Sequence, residues 1–147
     1  DPESDQGEHL LRFRIAPGAT IGDAVALGYD LAVPLRGLRA AAPIAPLVTS
    51  SDPAVVVETV KLAEDGSGDL VVRLYESRGG KARTTITLDG SAARIEVCDL
   101  LERALEADAA GFAPAVAGDS IELPFRPFQL RTLRFREVSA ARKVTAR

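Results

Sequence analysis

Val55-Val56-Val57-Glu58-Thr59-Val60-Lys61-Leu62 and Leu70-Val71-Val72-Arg73-Leu74-Tyr75-Glu76 flank the polar run Glu64-Asp65-Gly66-Ser67-Gly68-Asp69. Both flanks are rich in β-branched residues with period-two alternation, and the acidic, glycine-containing run between them is a turn signal. The pattern predicts a long β-hairpin. In its first strand Val56, Val60 and Leu62 fall on one side, interrupted by Glu58, and Val57, Thr59 and Lys61 fall on the other. In its second strand Leu70, Val72 and Leu74 make an apolar face, and Val71, Arg73 and Tyr75 a mixed one. Such strands describe a core and carry no chemistry.

Alternation recurs outward from the hairpin. Residues 11–15, 84–88, 93–97, 121–125 and 128–136 read as further strands, giving about seven in an antiparallel β-sandwich with one or two short helices. Ser77-Arg78-Gly79-Gly80-Lys81 and Asp89-Gly90 read as turns. A Gly-Gly pair also invites a phosphate-loop reading, but no lysine-serine or lysine-threonine pair opens a helix behind it. Thr20-Ile21-Gly22-Asp23 has the form of a capping box and Ala24, Leu27 and Leu31 give a helical stripe, yet Val25, Leu27, Tyr29, Leu31 and Val33 also alternate, so helix and strand both stay open up to Pro34, which ends the element either way. Asp99 to Glu106 reads as a short helix, Ala109 to Gly118 as a loop and Leu47-Val48-Thr49 as a short strand. In the last strand the apolar phase shifts from Phe128 and Leu130 to Leu133 and Phe135, which predicts a β-bulge near Thr132. The resulting organisation is one structural domain: a strand-and-helix arm over residues 1–36 packed on the sandwich, an alanine- and proline-rich connection over 37–53, and the β-sandwich body over 54–147.

The chain has 147 residues, 46% of them hydrophobic, enough for a real core, and its net charge of −3 does not steer it toward nucleic acid or an anionic membrane. No apolar run approaches the roughly 20 residues of a membrane-spanning helix, and no signal peptide is visible, so a soluble location is expected. Methionine is absent even at position 1, which points to a piece of a longer product. The single Cys98 has no intrachain disulfide partner and reads as a small buried hydrophobe or a half-buried residue at a strand end. The single His9 lies in a polar N-terminal stretch, away from any base or metal constellation. Asp65 and Asp69 read as turn residues. Arg131, Arg134 and Arg136 form a basic stripe, read first as a solvated strand face and second as a contact for an acidic neighbouring domain.

Four segments, taken in order, resemble the C-terminal β region of the glycoside hydrolase family 38 α-mannosidases. They are Gly7-Glu8-His9 with Arg12-Phe13-Arg14-Ile15 and Pro17-Gly18; Asp30-Leu31-Ala32-Val33-Pro34-Leu35-Arg36, where Ala32 stands at a position the family often fills with asparagine; the central hairpin; and Pro127-Phe128-Gln129-Leu130-Arg131-Thr132-Leu133-Arg134. The resemblance also supports the helix near 20–33. It implies a non-catalytic tail that scaffolds the catalytic domain of the same polypeptide, in a cytoplasmic enzyme hydrolysing terminal α-mannosides of mannose-containing glycans. It further implies a zinc ion held by aspartates and histidines in that catalytic domain, with no cofactor on this chain. No residue here qualifies as catalytic, cofactor-binding or metal-binding, because a retaining glycosidase needs two carboxylates about 5 Å apart and zinc needs a ligand set that one histidine does not supply. The alternative is an autonomous carbohydrate-binding or adhesion-like β-sandwich module, for which an aromatic platform would be required. With no tryptophan, and with Tyr29 and Tyr75 inside periodic elements, that platform is not evident.

Overall fold

The computed structural model describes residues 6–33, 37, 44–106 and 116–140. The chain divides into two compact units, Asp1–Arg39 and Ala40–Arg147.

In the first unit the helix α1 spans Ile21–Ala32. Thr20 Oγ1 accepts a hydrogen bond from Asp23 N at 3.2 Å, and the Asp23 carboxylate accepts from Thr20 N at 2.9 Å, so the capping box closes in both directions. Those two bonds satisfy N–H groups that the first helical turn leaves orphaned, which decides the helix against the alternating pattern. Leu11–Ile15 does not form the expected strand: it carries no ladder, and Leu11, Phe13 and Ile15 are all strongly exposed. Alternation arranges side chains, but a strand also needs a neighbour to take its N–H and C=O groups, and the described residues of this unit supply none.

The second unit is one antiparallel sheet of seven strands: β1 (Val48–Ser50), β2 (Val55–Leu62), β3 (Leu70–Glu76), β4 (Ala82–Cys98), β5 (Val116–Phe125), β6 (Leu130–Arg136) and β7 (Ser139–Ala140). Along the sheet the order is β1-β4-β6-β3-β2, with β5 and β7 also on β4. The predicted hairpin is present with both boundaries as read. Its first strand carries a bulge at Glu58, since Val57 opposes Leu74 while Thr59 opposes Arg73. The extra residue reverses the phase, so Val55 and Val57, which pack on the core, fall on the same side of the strand as the exposed Val60 and Leu62, and Val56 joins Thr59 and Lys61 on the other.

The predicted strands at 84–88 and 93–97 are one. Asp89-Gly90 is not a reversal; it lies where the β4–β5 register slips between Thr87 and Ala92. Before it β4 pairs with β1, and beyond it, from Arg94 to Cys98, with β6. The strand is thereby shared between layers, and one core draws on β1 to β6: Val48, Val55, Leu70, Val72, Leu74, Ile86, Leu88, Ile95, Ile121, Leu123, Phe125, Leu133 and Phe135 are buried together. The expected bulge near Thr132 is absent, because β3 and β6 keep one register from Leu70↔Phe135 to Tyr75↔Leu130. The apolar phase shifts instead because Leu130 faces outward while Phe128 lies before the strand, in the turn. Residues 99–106 form a turn and an isolated bridge, Cys98↔Ala104, rather than a helix. Asp99 Oδ1 accepts from the N–H groups of Leu101 and Arg103, each at 2.9 Å, which closes the chain into a side-chain-capped turn. The small-residue loop expected from Ala109 lies outside the described residues as far as 115, and Val116 to Gly118 already belong to β5.

Glu76, at the end of β3, has no solvent exposure. Its carboxylate accepts from Arg78 N at 2.8 Å, Gly79 N at 2.8 Å and Phe128 N at 3.0 Å, joining the β3–β4 turn to the β5–β6 turn. These peptide N–H groups, Phe128 first, outweigh the opposing effect of burial and hold the Glu76 carboxyl below its usual range.

Leu74→Ala should lower the unfolding free energy by about 2–5 kcal/mol, because its side chain is wholly enclosed. Thr87→Ala, on the exposed phase of β4, should stay within about 0.5 kcal/mol. Urea denaturation of both variants checks the pair, and equal losses would show the faces to be misassigned.

Candidate functional site

Opposite the core, β2, β3, β6 and β4 present a second face. Its rows follow from the register: Thr59, Arg73, Thr132 and Cys98 in one, Lys61, Val71, Arg134 and Glu96 in the next. Val71, Thr132, Arg134, Glu96 and Cys98 are all buried. The face is covered by the chain's own β2–β3 turn and by the segment 99–106.

Arg134 is its centre. Its Nε donates to Asp69 Oδ2 at 2.8 Å, and its Nη2 donates to Asp65 Oδ2 at 2.6 Å and Ser67 Oγ at 3.0 Å. Arg136 contacts Glu96 and, at 3.4 Å, Asp69, while Glu137 N donates to Asp69 Oδ1 at 3.2 Å. The basic stripe is therefore not a solvated face: Arg131 and Arg134 are buried, and Arg134 and Arg136 find their acids inside the chain. Sequence reading had both halves of this cluster, the turn aspartates and the stripe, and missed that they are partners. Alternation fixes only the face of each residue, and their meeting depends on β3 and β6 being neighbours.

The electrostatics follow from the contacts. Hydrogen bonds from Ser67 and Arg134 hold Asp65 well below the ordinary carboxylate range. Burial works against ionisation of Asp69, yet Arg134, the Glu137 N–H and Arg136 together leave it below the usual range. The two aspartates in turn raise Arg134.

A second latch lies beside it. Lys61 Nζ stands 2.6 Å from Glu102 Oε1, Glu102 Oε2 accepts from Glu64 N at 2.8 Å, and Arg73 Nη2 donates to Leu100 O at 3.3 Å. Glu102 sits at φ 65°, a left-handed backbone held by these bonds. The Lys61 partnership lowers Glu102 and raises Lys61. An open depression lined by Lys61, Glu64, Arg73, Leu100, Leu101 and Glu102 remains at this edge.

Asp65, Asp69, Glu96 and Glu102 are each committed to a cation, and burial, aided by Glu96, pushes the Cys98 thiol up to about 11, so it stays protonated at neutral pH. Cys98 itself is free and buried, in line with the packing role read from sequence. Among the described residues no group of three or more His, Cys, Asp and Glu side chains is placed to hold a metal ion. His9 belongs to the first unit and joins no such group.

The family model for the glycosyl hydrolases family 38 C-terminal beta sandwich domain matches residues 54–133. Human alpha-mannosidase 2C1 is similar at 34% identity over 142 residues, covering 90% of this chain and 13% of that protein. Mouse alpha-mannosidase 2C1 is similar at 31% identity over 142 residues, with the same coverage of 90% and 13%. The chain thus spans about an eighth of the length of the curated relatives it matches.

Acid should loosen this face. Asp65, Asp69, Glu76 and Glu102 have folded-state pKa values below their unfolded ones, so their contribution is present above the ordinary carboxylate pKa of about 4 and is lost as pH falls through the lowered values. Denaturation midpoints should be flat from about pH 8 to 5.5 and fall below about pH 4. Arg134→Ala should cost about 1–3 kcal/mol at pH 7 and make that decline shallower. An acid response identical in wild type and variant would show that the Arg134 cluster does not carry it.

Proposed function

Because the chain belongs to the glycosyl hydrolases family 38 C-terminal beta sandwich domain family, we propose that it scaffolds the catalytic part of a cytoplasmic α-mannosidase that hydrolyses terminal α-mannosides of mannose-containing glycans. The observation that carries the proposal is the coverage: a chain matched over 90% of its length answers to 13% of each relative, and that portion is the family's C-terminal sandwich. The polar face supports a structural role. Its carboxylates pair with buried cations and cap turns. Zinc chemistry belongs to residues outside this chain, and the partner proposed is the catalytic part of the same polypeptide. A cytoplasmic setting agrees with a free, buried Cys98, and no helix among the described residues is long and apolar enough to cross a membrane.

The isolated chain should leave an aryl α-mannoside intact, with or without added zinc or cobalt. The full-length protein should hydrolyse it, and a version truncated before Gly7 should lose activity or solubility by exposing the surface that this domain covers. Chelator-sensitive hydrolysis by the isolated chain would overturn the scaffold reading. Full activity in the truncated protein would show the domain to be dispensable.

A further inference from the structure

The turn 126–129 presents an exposed aromatic ring on a backbone that the chain itself holds in place. Phe128 sits at φ 55°, in the left-handed region, and is 72% exposed. A bulky residue is disfavoured in that region, and an exposed ring gains little from burial in return. The ring nonetheless has a fixed seat. Phe128 N donates to the buried Glu76 carboxylate at 3.0 Å, Arg126 N donates to Gln129 Oε1 at 2.9 Å, and Gln129 N donates to Arg126 O at 3.0 Å. Under the ring lies Gly79 at φ +73°, where an added Cβ would stand 2.7 Å from Phe128 Cζ. Two turns are shaped so that one phenyl ring stands outward in a single orientation.

Beside it the polar face ends in an apolar row. Val56 opposes Tyr75, and Tyr75 opposes Leu130, which is 47% exposed. Arg78, Lys81 and Arg126, all exposed, lie in or beside the two turns, while of the nearby carboxylates Glu76 is turned inward onto peptide N–H groups and Asp52 Oδ1 accepts from Ala54 N. An exposed aromatic with little conformational freedom, adjoining apolar area and a cationic rim, has the form of an interface anchor.

We propose that Phe128, with Leu130 and Tyr75, is the anchor through which this domain docks on the rest of its own polypeptide, entering an apolar pocket bordered by acidic side chains. The inference rests on the scaffold reading above and names the surface that performs it. Charge selects the occupant: the cationic rim fits an acidic surface, and a second copy of this chain meeting it through the same two-fold patch would set like charges together. The length of the relatives supplies a large covering body within the same chain.

Hydroxyl-radical footprinting of the full-length protein tests this, read by mass spectrometry at Phe128, with the buried Phe125 and Phe135 as internal floor. Phe128 should be modified no faster than about twice that floor, despite its exposure here. Phe128→Ala in the full-length protein should raise the rate of limited proteolysis of this domain by about tenfold or more, as expected when an interface anchor is lost and the undocked form becomes more populated. Leu62→Ala, an exposed apolar residue on β2, should leave that rate unchanged. Fast oxidation of Phe128 in the full-length protein would overturn the proposal while leaving the scaffold reading intact, since another face would then dock. Protection that fades on dilution would assign the patch to a second copy and also overturn it. Loss of the scaffold reading would show instead as full activity without the domain.

Discussion

A carboxylate without solvent exposure must find its hydrogen bonds inside the protein, and at Glu76 the donors available are peptide N–H groups from two separate turns. Removing a carboxylate from water is costly unless charge-assisted bonds replace the lost hydration, so satisfying Glu76 fixes where both turns lie. The β3–β4 turn is drawn in at Arg78 and Gly79, and the β5–β6 turn at Phe128. Those turns set the entry points of β4 and β6, and the β4–β5 and β3–β6 ladders start beside them. One side chain thus ties together two turns, the farther of them 52 residues on in sequence at Phe128.

The same device recurs at the other positive-φ residues outside glycine. Glu137, at φ 50°, gives its N–H to Asp69, and Glu102, at φ 65°, gives its carboxylate to Glu64 N and Lys61. In each case an acidic group, ionised and paired, steadies a backbone that would otherwise relax. This places the charged cluster in a role of specification more than of net stability, since buried ion pairs roughly break even against apolar packing. It also explains how Arg134 can be buried in a domain this small, whereas the buried Arg131 lies over the Phe125 ring, 5.7 Å from its centroid.

The central hairpin was legible to the residue because both its strands and its turn are local signals: β-branched alternation on each side, and Glu64 to Asp69 between. The helix was legible for the same reason, its capping box lying within four residues. What escaped the sequence was non-local. Nothing near Glu58 announces a bulge, which arises from matching β2 to β3 on both sides of it. Asp89-Gly90 has the composition of a hairpin turn and is used as a bend, because β1 and β6 need the same strand on opposite sides of it. Leu11 to Ile15 has the alternation of a strand and no neighbour to pair with. Asp65, Asp69 and Arg134 were each visible as charges, but their pairing exists only once β3 lies beside β6. Family membership was legible through ordered segments of resemblance, whereas the chain's own chemistry offered no such signal.

Strand β6 shows why so little of the outer surface remains to be explained by chemistry. From Arg131 to Phe135 every residue is buried, so both faces of the strand are covered: one by the apolar core, the other by the β2–β3 turn and residues 99–106. A sandwich that covers its second face with its own turns leaves no broad apolar sheet for a partner. Among the described residues of this region, the exposed apolar side chains are Leu100 and Leu101 on the covering segment and Leu130 and Phe128 at the sheet's end. A domain built this way keeps its buried ion pairs for its own architecture, Arg134 with Asp65 and Asp69, and Arg136 with Glu96.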